Sequence, residues 1–266
     1  MPLSPLARRY DQFILDLDGC VYVGEEPTPG APETVAGLRA AGKRVTFATN
    51  DPRRATEEYV AKLWRLGIQA SLADVVTVGG ATQHLLAETR RGRTAFVIGT
   101  EPMFRHVENA GLRLLNGTDL ASRAEVVVVA ATEDLIYDDL RNAALAVRRG
   151  ADFLATGRDA TYPQPDGPWP GTGAILAAVE TASGATAKVV GKPEPQLFLT
   201  ALDRLGDGRT LVVGDRLDAD VAAAARARLD AALIGSEAIR TPPHSDDGSP
   251  APVAVADSLA ALLTTA

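Results

Sequence analysis

The chain has 266 residues, 46% of them hydrophobic and 23% charged, which allows a normal globular core in one large or two modest domains. Its formal net charge of −7 argues against nucleic acid as the main partner, because phosphate backbones attract basic surfaces. Cys20 is the only cysteine, so no internal disulfide can form; no apolar run approaches the roughly 20 residues that span a bilayer, and no secretory apolar region precedes residue 17, so the expected location is the cytoplasm.

In chain order, short apolar runs alternate with helical patterns. The run Phe13-Ile-Leu-Asp-Leu-Asp-Gly-Cys20 reads as a buried strand over 12–17 that ends in two carboxylates and a glycine turn. A helix over 31–41 starts near Pro32 and stops at Gly42, a strand covers 44–48, and a helix over 53–66 stops at Gly67. Further strands are expected at 95–98, 125–130, 152–155, 187–190, 210–213 and 231–234. Further helices are expected at 137–149, 172–183, 195–205, 218–228 and, short, at about 255–264. The loop 157–171 is too long for a simple connector and the stretch 236–252 is rich in Pro, Ser and Asp. Alternation of this kind predicts an α/β fold, a Rossmann-like doubly wound parallel sheet with helices on its faces.

Four short segments at strand ends carry chemistry. Asp16 and Asp18 would repel each other as mere scaffold; as a working pair, one carboxylate can attack phosphorus while the other protonates the leaving oxygen and then deprotonates water. Thr49 and Asn50 follow the second strand, where a hydroxyl and free amides can hold phosphate oxygens, or can simply cap the next helix. Lys192, held between Gly191 and Pro193, can neutralise phosphate; alone, such a lysine is most often a solvated surface charge. Gly214-Asp-Arg-Leu-Asp-Ala-Asp220 repeats the strand-then-carboxylate layout, and Asp215 and Asp220 suit an oxygen-rich Mg2+ site, while Asp218 can cap a helix and Arg216 can orient a carboxylate.

Taken together, Asp-Leu-Asp-Gly at 16–19, Ala-Thr-Asn at 48–50, Gly-Lys-Pro at 191–193 and Gly-Asp-Arg-Leu-Asp-Ala-Asp at 214–220 resemble the four motifs of the haloacid dehalogenase-like hydrolases over nearly the whole chain. Tyr22 and Gly24, the segment Pro170-Gly-Thr-Gly-Ala174 and Val190-Gly-Lys-Pro193 make the NagD-type phosphatases the most similar group. The resemblance implies that Asp16 is nucleophile and Mg2+ ligand and that Asp18 is acid/base, with its carbonyl also facing the metal. It further implies that Thr49, Asn50 and Lys192 bind the phosphoryl group, that Asp215 ligates Mg2+ and that Asp220 is a water-bridged or outer partner. The carboxylate at 18 favours phosphate ester hydrolysis over dehalogenation.

The roughly 140 residues between Thr49 and Lys192 far exceed the dozen or so that one crossover needs. The resemblance fills them with an inserted α/β cap, giving a catalytic core of 1–77 plus 184–266 and a cap of 78–183 that closes on substrate and sets specificity. Asp159, Tyr162 and Trp169 are its candidate contacts, although packing within the cap is the favoured account of the two aromatics. The Gly-Thr-Gly at 171–173 lacks the third glycine and the leading strand of a dinucleotide site.

The expected activity is Mg2+-dependent hydrolysis of small phosphomonoesters, such as glycerol 3-phosphate, phosphoglycolate or 4-nitrophenyl phosphate, through an aspartyl phosphate. A phosphoryl-transferring mutase and a phosphometabolite-binding protein with little turnover are the alternatives, and a homodimer is the expected assembly. Three departures from the family stand out. Asp51 replaces a usual asparagine and would weaken anion binding unless it points away, Cys20 replaces a usual Thr or Val and raises the question of oxidative inhibition, and the polar stretch after Ser236 replaces a family turn.

Overall fold

The strand that carries Asp16 lies inside a six-stranded sheet. The computed structural model describes residues 2–164, 166–235 and 251–263. Two compact units emerge: residues 1–49, 56–76 and 192–266 make the first, and 50–55 with 77–191 make the second. The second unit thus takes in residues 50–55, 77 and 184–191 in addition to the expected 78–183.

In the first unit, β1 (Gln12–Asp16), β2 (Arg44–Thr49), β3 (Val75–Thr77), β4 (Thr210–Gly214), β5 (Asp230–Ile234) and β6 (Ala254–Ala256) lie in the order β6-β5-β4-β1-β2-β3. β1 is parallel to both neighbours, with Phe13 opposite Val45 and Leu211. All five residues of β1 are buried, which is why its sequence is a continuous apolar run and not an alternating one. Phe13, Leu15, Phe47, Leu211 and Val213 share one cluster with Val35 and Leu38 of α1 (Ala31–Ala40) and Leu63 of α2 (Thr56–Arg65). The helix α3 (Gln196–Leu205) buries Leu197, Phe198 and Ala201. The chain steps outward from β1 to β2 on one side and later returns to β4 on the other. The carboxyl ends of β1 and β4 therefore flank a topological switch point, where open α/β sheets bind ligands.

The second unit is built on a five-stranded parallel sheet in the order Lys188–Val189, Asp152–Ala155, Val126–Val129, Thr94–Ile98 and Arg113–Leu114. Val127 and Val129 face a cluster with Ala143, Val147, Ile175 and Val179, whereas Val126 and Val128 face one with Leu86, Met103 and Val107. Four valines in a row are the sequence of a strand covered on both faces.

Several expected elements changed form. α2 begins at Thr56, not 53, because Asp51 to Arg53 form a turn closed by the Asp51 carboxylate. The segment expected as a helix over 218–228 is a π-turn over Leu217–Val221 followed by a short helix, Ala222–Arg226. The loop 157–171 contains a two-stranded hairpin, Thr161–Gln164 against Gly167–Pro170. The terminal helix is instead β6 and a 3-10 turn over Leu259–Leu262, whose leucines pack into the first unit's core. Most of the polar stretch 236–252 lies outside the described residues. No helix among the described residues is long and apolar enough to cross a membrane.

Candidate active site

Two strand ends and one loop bring three carboxylates and a lysine together in the first unit. Asp16 closes β1, Asp215 follows β4, and Asp220 projects from the π-turn beyond it. One oxygen from each of these aspartates lies within 4.8 Å of the others. Lys192 Nζ donates to Asp16 Oδ1 and, at 2.7 Å, to Asp220 Oδ1. Asp220 Oδ2 in turn accepts the Arg216 amide at 3.1 Å. The π-turn matters here because its extra residue per turn directs Asp220 inward while Asp218 stays exposed, where Arg216 grips it through two nitrogens.

Burial governs the electrostatics. Asp16, Lys192 and Asp220 have 6%, 6% and 1% of their surface exposed. Desolvation holds the Asp16 carboxyl well above the usual carboxylate range; Lys192 pulls it back and Asp220 pushes it up further. Asp215 is pushed up to about 6, chiefly by burial and then by Asp220. Burial works against the charge on Lys192, but Asp16 and Asp220 outweigh it and raise the ammonium's pKa. Three carboxylates with one ammonium leave excess negative charge in a low-dielectric site. An all-oxygen donor set of this kind suits a small hard dication such as Mg2+, whose charge would relieve that strain.

The turn after β1 is drawn tight by main-chain bonds. Gly19 N–H donates to Tyr22 O at 2.8 Å, and Asp18 and Tyr22 form a β-bridge. Gly19 has φ +89°, and a β-carbon there would strike the Asp215 carboxylate, so only glycine serves. Asp18 is exposed and lies outside the three-carboxylate group. Cys20 is sealed from solvent with Sγ 3.5 Å from Val213 O, and burial, followed by the Asp16 charge, raises its thiol well above the ordinary value. A buried protonated thiol is the inert kind, contrary to an oxidation-sensitive reading.

Thr49 ends β2 one residue beyond the Asp16–Ala48 register pair and is 2% exposed. Asn50 belongs to the second unit, its side chain pressed against Gly191. The two oxygens of Asp51 accept from Arg53 Nε at 2.8 Å and Nη2 at 2.9 Å. The Arg53 guanidinium lies 3.9 Å from the Tyr162 ring centre, and Tyr162 donates to Glu133 at 2.9 Å. Trp169 pairs with Tyr162 across the hairpin and donates to Asp166 at 2.8 Å. The Asp159 carbonyl accepts the Gly173 amide, and β-carbons at Gly171 or Gly173 would strike the backbone of 158–159. These glycines serve loop packing.

Asp220 was a candidate from the sequence, but the π-turn that turns it inward was not, since nothing in Leu-Asp-Ala-Asp signals one. Arg53 was also missed, although its spacing of two from Asp51 is a local signal for the pair.

A family model described as Haloacid dehalogenase-like hydrolase matches residues 13–113, and a second, HAD-hydrolase-like, matches 189–262. The chain is 38% identical over 234 residues to a D-glycerol 3-phosphate phosphatase of Mycobacterium tuberculosis, an alignment that covers 87% of this chain but only 65% of that longer protein. It is 32% identical to an acid sugar phosphatase of Staphylococcus aureus, over 80% of this chain and 82% of the relative. The crystal structure of a glycerol phosphate phosphatase from M. tuberculosis in complex with magnesium superposes with a TM-score of 0.89 at 34% identity, covering 98% of this chain and 79% of that one.

Proposed function

Because the chain belongs to the haloacid dehalogenase-like hydrolases, and within them to the NagD type, we propose that it is a Mg2+-dependent phosphatase of small phosphomonoesters working through an aspartyl phosphate. The observation that carries this reading is the buried Lys192 bridging Asp16 and Asp220 beside Asp215.

Asp16, Asp215 and Asp220 are the side chains that would hold the metal. Bound there, Mg2+ offsets the charge of the carboxylates and of a phosphoryl group. In the first step an Asp16 oxygen attacks phosphorus in line, the P–O bond to the alcohol breaks, and Asp18 gives its proton to the departing oxygen. In the second, Asp18 takes a proton from water as that water attacks phosphorus, and the bond to Asp16 breaks, releasing phosphate and restoring the Asp16 carboxylate and the Asp18 acid. Lys192 keeps its ammonium throughout, because two carboxylates surround it, and so remains a fixed positive charge for the phosphoryl oxygens. Thr49 and Asn50 are assigned to the same oxygens.

We assign the second unit the role of specificity cap, with Asp159, Tyr162 and Trp169 as its candidate contacts. Glycerol 3-phosphate heads the list of substrates, since the M. tuberculosis relative is named for it. A cytoplasmic location and a homodimer belong to the same reading, the first supported by a lone buried cysteine in a chain without disulfides.

The test is phosphate release from a panel of phosphomonoesters with Mg2+, beside Asp16→Asn and an EDTA control. Release by the wild type with metal, and by neither control, is the expected result. Appreciable turnover by a clean Asp16→Asn preparation would overturn the aspartyl phosphate, and no release from any ester by folded, Mg2+-loaded protein would overturn the phosphatase.

A further inference from the structure

One buried cation has no part in the chemistry described above. Lys62 lies on α2 and is 4% exposed. An ammonium is disfavoured out of water unless something replaces its hydration. Here the replacement is the face of Tyr22, whose ring centre is 3.7 Å from Nζ, and the exposed carboxylate of Glu25 at 3.5 Å. Both partners belong to the hairpin Tyr22–Val23/Glu26–Pro27 that directly follows the Asp18 turn. Attraction between an ammonium and an aromatic face strengthens with desolvation, so this contact is well placed to fix the hairpin onto α2.

Tyr22 is also the residue that closes the turn carrying Asp18. Its carbonyl accepts the Gly19 amide at 2.8 Å, and its own amide and that of Val21 donate to Leu17 O at 3.1 and 2.9 Å. Asp18 bridges to Tyr22 directly. Asp18 therefore stands inside a small ring of main-chain bonds whose far side is Tyr22, and the Tyr22 ring is 1% exposed. A shift of that ring shifts the backbone from which the Asp18 carboxyl projects.

We propose that Lys62 is a positioning residue for the acid/base: through the Tyr22 ring and Glu25 it locks the hairpin that presents the Asp18 carboxyl to the leaving oxygen. The inference rests on the phosphatase reading. A displacement of about 1 Å at a proton donor can lower a rate on the order of a hundredfold. The loss falls on esters whose departing oxygen needs the proton. An alkyl alcohol is a poor leaving group and needs it; 4-nitrophenolate leaves well without it.

The experiment compares kcat/KM for glycerol 3-phosphate and 4-nitrophenyl phosphate in wild type, Lys62→Met and Lys62→Arg. That ratio reports steps up to formation of the phosphoenzyme, where the alcohol departs. Lys62→Met keeps the apolar stem and removes the charge. It should lose about tenfold or more on glycerol 3-phosphate and less than about threefold on 4-nitrophenyl phosphate, and Lys62→Arg should restore the wild-type ratio. If Lys62→Met does not fold, Tyr22→Leu, which removes the ring face and leaves the Glu25 ion pair, carries the same expectation. Equal losses on both esters, an unchanged ratio, or an Arg variant as defective as the Met variant would overturn the proposal while leaving the phosphatase reading intact. Failure of the folded, Mg2+-loaded wild type to hydrolyse these two or any other ester of the panel would overturn both.

Discussion

The carboxylate of Asp220 fills the space that a β-carbon on Gly214 would need. The two residues are six apart in sequence and are brought together by the π-turn that follows β4. That closeness lets Asp220 reach Lys192 at 2.7 Å with both groups buried.

Gly214→Ala should therefore act on the site and not only on the strand. The added methyl displaces Asp220, Lys192 loses one of its two anionic partners, and kcat should fall by about a hundredfold, the scale of removing one fixed electrostatic contact. Overpacking a filled position should lower stability by about 1–3 kcal/mol. Phosphate release and thermal melting of the variant check the two effects separately; near wild-type kcat would show that Asp220 is dispensable.

Metal binding should depend on pH through the carboxyls. A group whose pKa is raised by folding contributes stability below its unfolded value, near 4 for Asp, and that contribution is lost as pH rises through the folded value. For Asp215 the folded value is about 6, and Asp16 is raised as well. The metal-free protein thus loses this contribution between about pH 4 and 6, where bound Mg2+ must displace the protons. Through Asp215, the apparent Mg2+ affinity, read from melting curves at several metal concentrations, should weaken by about tenfold per pH unit below about 6. A flat profile from pH 5 to 8 would mean that these carboxyls are already ionised without metal.

Asp51 should not be the handicap that its charge suggests. Its carboxylate is taken up by Arg53 through the fork of the guanidinium, which also stacks on Tyr162. Asp51→Asn is expected to change KM for a phosphomonoester by less than about twofold. Arg53→Ala, which removes the guanidinium fork from the acid, should raise KM by about three- to tenfold, and the double variant should recover part of the loss, as paired charges do in a mutant cycle. Additive effects in that cycle would separate the two residues.

Much of the fold is legible in the order of the amino acids, because parallel strands buried on both faces write themselves as unbroken runs such as Phe13-Ile-Leu and Val126-Val-Val-Val129. Asp16, Lys192 and Asp215 follow directly from standing at the ends of such runs. The hairpin over 161–170 was hidden because Pro163, Pro168 and Pro170 argue against strands, and a two-stranded ribbon tolerates what a central strand cannot. The expected terminal helix failed because Leu259, Leu262 and Leu263 are spaced as a helix would space them, yet they serve a single 3-10 turn. Nothing in the sequence singles out Lys62, since no local pattern reveals that an aromatic ring from a preceding hairpin will cover it.

The first unit is assembled from three separate stretches, and its reactive residues are split between the first and the last. A ribosome that has delivered the first 190 residues has released Asp16 and Asp18 but neither Lys192 nor Asp215 nor Asp220. The second unit, nearly all one uninterrupted stretch, can settle by then, since domains tend to fold as they emerge. A chain that stops before residue 192 thus carries the assigned nucleophile without the lysine and the two carboxylates that surround it, and should be chemically silent.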